Sequence, residues 1–149
     1  MRAKNSIYAG LLLVMLTGSG CAWRPTAPHP STDAAAVVHE LVKSTTSWDG
    51  ALLPAYPQGQ PEVTILRIEI PPGTRLPTHF HPVINAGVLI RGELTVVSSD
   101  GPTLYLKAGD PIVELVNTPH YGLNEGDTMA EIIVFYAGQA TQPITVTTP

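Results

Sequence analysis

The sequence predicts an all-β fold of short antiparallel strands, arranged as a sandwich or a barrel. Apolar residues alternate in short segments, turn residues separate these segments, and the 15 prolines and 13 glycines are spread along the chain. A chain of 149 residues is long enough for one domain with its own core and too short for two of ordinary size. Only 13% of the residues are charged, which argues against a disordered chain.

The strand pattern begins near residue 63 and continues almost to the end of the chain. In VTILRIEI (63–70), Leu66, Ile68 and Ile70 fall on one face and charged residues lie between them. Turn-forming segments such as SDG, AGD and EGDT separate the later strands. The tail TQPITVTTP either adds an edge strand or trails beyond the sheets. The further strands are predicted for AGVLI (86–90), RGELTVVS (91–98), TLYLK (103–107), IVELV (112–116) and AEIIVFY (130–136).

One short N-terminal helix is predicted before the strands, in TDAAAVVHELVKS (32–44). Its apolar residues recur at helical spacing, Thr32 is a candidate N-cap, and Lys43 lies in the last turn. His39 falls outside the apolar stripe, so we expect its side chain to be exposed.

The first 21 residues have the pattern of an export signal. Arg2 and Lys4 precede the apolar run IYAGLLLVML, which is too short for a stable membrane-spanning helix, and the small residues TGSGC follow it. This segment resembles a bacterial lipoprotein signal, although Gly18 stands where such signals usually have leucine. The resemblance implies that Cys21 becomes the lipidated first residue of the mature protein. Ordinary signal-peptidase cleavage and an uncleaved anchor are the alternatives, and all three place the domain outside the cytoplasm.

The predicted organisation is therefore a signal segment (1–21), a proline-rich tether (22–31) and one domain (32–149). Cys21 is the only cysteine, so the domain has no internal disulfide and depends on its core for stability. Without Arg2 and Lys4, six basic residues face twelve acidic ones, and the net charge changes from −4 to −6. This balance, with no basic cluster, argues against binding to nucleic acid. We expect the protein on the periplasmic side of the envelope, with membrane contact only through the lipid.

Three of the five histidines lie in the strand-rich region. His79 and His81 are two residues apart on a predicted strand, so their side chains project from the same face, and His120 follows in VNTPHYGLN. Neutral imidazoles around a concave site are common ligands of zinc, iron, copper and nickel. The His-x-His pair is a weak indication of a metal site when it stands alone.

Glycines and asparagines stand at fixed spacing around these histidines. One set is Gly73, His79, His81, Asn85 and Gly92, and the second is Gly109, His120 and Asn124. The two sets resemble the two sequence motifs of the cupin superfamily, with Leu115 and Asn117 where the second motif usually has proline and glycine. The resemblance covers residues 60–137 and implies an antiparallel double-stranded β-helix, the jelly-roll barrel of a small single-domain bacterial cupin.

The resemblance also implies a site for one divalent transition metal at His79, His81 and His120. Metal-binding cupins have glutamate at the position of Asn85, and an amide oxygen is a poorer donor. Asn85 is therefore expected to be a weak fourth ligand or a hydrogen-bond partner of bound water. Three neutral ligands would leave the ion at a formal charge of +2 and favour anionic small molecules. The sequence does not distinguish Zn, Cu, Fe, Mn and Ni, and a cupin that has lost its metal is the alternative.

Four other residues have predicted positions. Glu114, in IVELV, is expected to face solvent, whereas an inward position would allow it to act as a general base. Tyr121 is expected to point away from the metal and to pack against neighbours. Gly87 is expected on the inward face, where it would leave room for a ligand. Trp48 is expected to pack over one end of the barrel.

Two functions remain open from the sequence. The first is a metalloenzyme of the dioxygenase, lyase or isomerase class, all of which occur among cupins, that acts on a small, anionic molecule. The second is a non-catalytic envelope protein that binds a small molecule or a metal. No catalytic residue is assigned. The partner is a small molecule in both cases, nucleic acid is not expected, and a homodimer stays open.

Overall fold

The computed structural model describes residues 35–99 and 101–148, which form nine β-strands. Within these residues no helix is long and apolar enough to span a membrane. The strands are β1 (Pro61–Ile70), β2 (His79–Phe80), β3 (Ile84–Arg91), β4 (Glu93–Ser98), β5 (Thr103–Lys107), β6 (Pro111–Val113), β7 (His120–Leu123), β8 (Ala130–Gln139) and β9 (Val146–Thr147).

The strands form two sheets. One has four strands in the order β1-β8-β3-β6, and the other has five in the order β5-β4-β7-β2-β9. All pairs of neighbouring strands are antiparallel. This arrangement confirms the predicted all-β jelly-roll barrel, and the tail contributes the edge strand β9.

Apolar side chains from both sheets face one another and form the core. Ile70, Leu89 and Ile112 are almost fully buried. The alternation predicted for β1 is confirmed, because Leu66, Ile68 and Ile70 line a cavity between the sheets together with residues of both sheets.

The segment around Asn117 forms a turn, although its residues differ from those usual in the second cupin motif. Asn117 stands at the position of the motif glycine and has a φ of 59°, in the left-handed region that glycine favours. Asparagine is one of the few other residues that adopt this conformation readily. The backbone N–H of Asn117 donates to the carbonyl oxygen of His81 at 2.8 Å. The turn therefore joins the two motifs directly.

The predicted helix is not found in the part of its segment that the structure describes. Residues 35–44 form no regular secondary structure, and Val37 and Val38 are 78% and 88% exposed. Because an isolated helix of about 13 residues is marginal in water, it needs packing of its apolar face, and this face has no such packing here. His39 is exposed, as predicted. Thr32, the tether and the signal segment with Cys21 lie outside the described residues.

Candidate metal centre

The topology brings the three predicted histidines together. His79 on β2 is paired directly with His120 on β7, and His81 lies one residue beyond β2, where it bridges to Val116. The centroids of the three imidazole rings are 4.7, 4.9 and 5.1 Å apart. One ligand nitrogen from each ring lies within 4.8 Å of the other two, so the three could hold a metal ion.

Backbone carbonyls orient all three rings in the same way. The Nδ1 atoms of His79, His81 and His120 lie 2.7, 2.8 and 2.8 Å from the carbonyl oxygens of Pro77, Ile144 and Thr118. Because a carbonyl oxygen only accepts, each Nδ1 carries the proton and donates it. Each Nε2 therefore keeps a free lone pair, as in metal sites where an outer hydrogen bond fixes the histidine tautomer.

Burial keeps two of the rings neutral. Desolvation lowers the pKa of His81 to about 4, and a smaller contribution comes from the neighbouring His120 and His79. Burial also lowers the pKa of His120. Both rings are therefore unprotonated at neutral pH, which is the form that binds a metal.

The three histidines line a cavity of about 250 Å³ between the sheets. Most of the wall is aliphatic. The described residues that line it include no lysine or arginine, and its other polar side chains are Glu114, Tyr136, Thr145 and Thr147. The histidine cluster is therefore a polar patch in an otherwise apolar pocket.

Glu114 faces the cavity, so the prediction of a solvated position is wrong. Its side chain is only 8% exposed, and burial raises its pKa to about 7. The backbone N–H of Glu114 donates to the carbonyl oxygen of Asn85 at 3.1 Å, which continues the pairing of β3 and β6 by one residue. Glu114 therefore shares the inward face of Ile112, two residues earlier. The two-residue spacing of Ile112 and Glu114 is visible in the sequence. Because IVELV has apolar residues on both faces, however, alternation alone did not predict which face points inward.

Asn85 is buried beside this carboxylate but is not among the residues that line the cavity. Its Nδ2 donates to the carbonyl oxygen of Val83 at 3.3 Å, and its Oδ1 has no hydrogen-bond partner. The Nε2 of His120 and the Oε2 of Glu114 are also buried without a hydrogen-bond partner. Buried polar atoms are normally paired, and the two unpaired acceptors that line the cavity, on His120 and Glu114, fit a bound cation.

The structure also tests the positions predicted for Tyr121, Trp48 and Gly87. Tyr121 lies outside the cavity and stacks under the Arg75 guanidinium, whose Cζ is 3.7 Å from the ring centre. Trp48 packs against the core. Gly87 does not line the cavity, so the prediction that it makes room for a ligand is wrong. A Cβ there would lie 2.7 Å from the carbonyl oxygen of Ile133, which means that Gly87 allows the close approach of β8.

Tyr136 also faces the histidine cluster, and the sequence had not predicted this position. Its ring centre lies 5.4 Å from that of His81, and its side chain lines the cavity. Burial raises its pKa to about 12, and the nearby Glu114 adds to this effect. Tyr136 shares the inward face of Ile132 and Val134 on β8, and this period-two pattern is visible in AEIIVFY.

The family profile described as "Cupin domain" matches residues 66–136. Residues 66–136 therefore form a cupin domain. This stretch runs from β1 to β8 and includes all three histidines, Asn85 and Glu114. No curated protein sequence matches the chain significantly.

Solved cupin structures share the fold. An oxalate oxidase in complex with the substrate analogue glycolate is 27% identical over 58% of this chain and 46% of that one, with a TM-score of 0.52. A DMSP lyase from Ruegeria pomeroyi is 22% identical over 58% and 43% of the two chains, with a TM-score of 0.52. An uncharacterised double-stranded β-helix protein from Klebsiella pneumoniae is 19% identical over 74% and 99%, with a TM-score of 0.51. The match spans less than half of the first two structures.

Proposed function

We propose that this cupin binds one divalent transition metal at His79, His81 and His120 and acts as a metal-dependent enzyme on a small molecule. The observation that carries this proposal is the convergence of three imidazoles, each with its Nδ1 bound to a backbone carbonyl, on one cavity. Such rings are oriented in advance, which reduces the reorganisation needed to bind a metal.

The inward position of Glu114 favours an enzyme over a passive binder. The sequence shows few acid–base groups near the histidines, and that scarcity favours the binder. The cavity, however, contains a buried carboxylate and the Tyr136 hydroxyl beside the histidine cluster. A carboxylate in a desolvated cavity is a candidate to accept a proton from a bound substrate.

The cavity indicates the class of substrate. It is small and mostly aliphatic, and its described lining residues offer no cationic side chain for an anion. An anionic group would therefore depend on the metal for recognition. The oxalate oxidase that is 27% identical was solved with glycolate, which makes small carboxylates the first class to test.

The residues of the chain have separate roles in this proposal. The bound metal would supply Lewis acidity that polarises a substrate oxygen. The carbonyls of Pro77, Ile144 and Thr118 hold the imidazoles in position. The aliphatic side chains exclude water from the part of the cavity wall that they cover, which strengthens electrostatic interactions there.

Metal-dependent turnover of small carboxylates tests the proposal. The protein is loaded in turn with Mn, Fe, Zn, Cu and Ni and incubated with oxalate, glycolate and longer monocarboxylates. Oxygen consumption, carbon dioxide release and product masses are then followed. We expect turnover with at least one metal and none with metal-free protein or His81→Ala. Metal-dependent binding without turnover would favour the alternative, a non-catalytic binding protein of the envelope.

We also propose that the protein is exported and attached to the membrane by a lipid on Cys21. The proposal is supported by the basic residues, the apolar run and the small residues that precede this cysteine. Cys21→Ser removes the acceptor thiol, so we expect the protein to move from the membrane fraction to the soluble fraction in a cell fractionation.

Mass spectrometry of the N-terminus provides the control for this variant. We expect a lipidated Cys21 in the wild-type protein and an unmodified chain in Cys21→Ser. A Cys21→Ser protein that remains in the membrane fraction would show that the apolar run is an uncleaved anchor.

A further inference from the structure

The contact between Glu114 and His120 joins two hydrogen-bond acceptors. The Oε2 of Glu114 lies 3.5 Å from the Nε2 of His120, and both atoms are buried without a hydrogen-bond partner. The Nδ1 of His120 carries the ring proton, because it donates to the carbonyl of Thr118 at 2.8 Å. When Glu114 is ionised, two desolvated lone pairs therefore face each other, an arrangement that a shared cation would stabilise.

The separation of the two atoms suits a shared metal ion. Two ligand atoms about 2.1 Å from one ion lie about 3.4 Å apart when the angle between them is tetrahedral. The observed 3.5 Å agrees with this value. A carboxylate is also a stronger ligand than an amide, since it contributes a full negative charge.

The pairing of the strands explains how this carboxylate came to lie beside the histidines. Asn85 occupies the motif position at which metal-binding cupins have glutamate. Glu114 lies directly opposite Asn85, because the backbone N–H of Glu114 donates to the carbonyl oxygen of Asn85. Opposed residues of an antiparallel pair project from the same face of the sheet. Glu114, unlike Asn85, lines the cavity. The carboxylate is present in this site, but it comes from the neighbouring chain segment.

We propose that Glu114 is the carboxylate ligand of the metal site, in place of the residue at position 85. This inference rests on the metal site proposed above, and it gives Glu114 the role of a ligand in place of the candidate proton acceptor. It changes the expected charge, because three neutral imidazoles and one carboxylate leave a divalent ion with a formal charge of +1 rather than +2. An anionic substrate would then be held less strongly than the sequence alone suggested.

The test compares metal affinity and stability in Glu114→Gln and Glu114→Leu. Affinity for Zn²⁺ is measured by competition with a chelator, and thermal unfolding is measured in excess chelator. We expect both variants to bind Zn²⁺ at least about tenfold more weakly, since even outer-shell partners affect metal affinity by this amount. We expect both metal-free variants to be as stable as wild type or more stable, because a buried carboxylate without a partner is removed.

Two variants and a matched control make the result specific. The amide that Glu114→Gln introduces could donate to His120 and block its lone pair, whereas the side chain that Glu114→Leu introduces cannot. If both variants bind Zn²⁺ more weakly, a blocked lone pair on His120 is therefore excluded as the cause. Glu125→Gln is the control, because Glu125 accepts a hydrogen bond from Thr95 and lies outside the cavity lining. It should retain wild-type affinity.

Results that contradict the role of Glu114 differ from a result that contradicts the metal site itself. Wild-type affinity in Glu114→Leu would overturn the role of Glu114 and leave the histidine site intact. Weaker binding together with a lower unfolding temperature of the metal-free variants would also overturn it, since Glu114 would then serve the fold. A wild-type protein that binds no metal would overturn the proposed function itself.

Discussion

Replacing His81 with alanine is expected to abolish stoichiometric metal binding. His81 is 3% exposed, and its Nδ1 hydrogen bond to Ile144 directs Nε2 toward the other two rings. Its loss removes one of three strong donors from a site that has no replacement imidazole among the described residues. Wild type and variant are reconstituted identically, and the metal content per chain is measured by elemental analysis.

Two controls separate this effect from a general loss of histidine or of structure. His39→Ala removes an exposed histidine far from the motifs in sequence and should bind metal as wild type does. Asn85→Ala removes only an amide that already donates to the Val83 carbonyl, and it should retain most of the metal. Equal metal content in wild type and a folded His81→Ala would contradict the proposed ligand set.

Replacing Gly92 with alanine is expected to cause a large loss of stability. Gly92 has a φ of 75°, and an added Cβ would lie 2.6 Å from the carbonyl oxygen of Met129 and 2.9 Å from the Cα of Ala130. Left-handed strain and a backbone clash together should lower the free energy of unfolding by about 3 kcal/mol. Urea denaturation of the metal-free proteins measures this difference.

Gly109→Ala is the matched control for this clash. Gly109 is also a motif glycine with a positive φ, of 98°, but an added Cβ there would meet no atom within 4 Å. Only the strain remains, so we expect a loss of about 1 to 2 kcal/mol. Equal losses in the two variants would mean that Gly92 is needed only for its φ and not for the approach of the β8 segment.

Much of the fold could be predicted because its signals are local or have fixed spacing. Alternation placed Leu66, Ile68 and Ile70 on one inward face, and the motif spacing placed His79, His81 and His120 in one cavity. The predicted helix failed for a tertiary reason. Its apolar stripe had the correct period, but the described part of the segment has no surface against which that stripe packs.

The site could be predicted only in part. The motif spacing put Asn85 at the position of the fourth ligand. The register of β3 against β6, which the sequence does not specify, brings Glu114 to the cavity instead. A similar limit applied to Gly87. Whether a glycine makes room for a ligand or for a neighbouring strand depends on the opposing backbone, here the Ile133 carbonyl.

The central claim is that one metal ion binds between the Nε2 atoms of His79, His81 and His120. A crystal of the metal-loaded protein, measured at the absorption edge of the bound metal, tests this most directly. We expect a single anomalous peak about 2.0 to 2.3 Å from all three Nε2 atoms. The absence of a peak there, or a peak elsewhere that the three rings do not ligate, would contradict the claim.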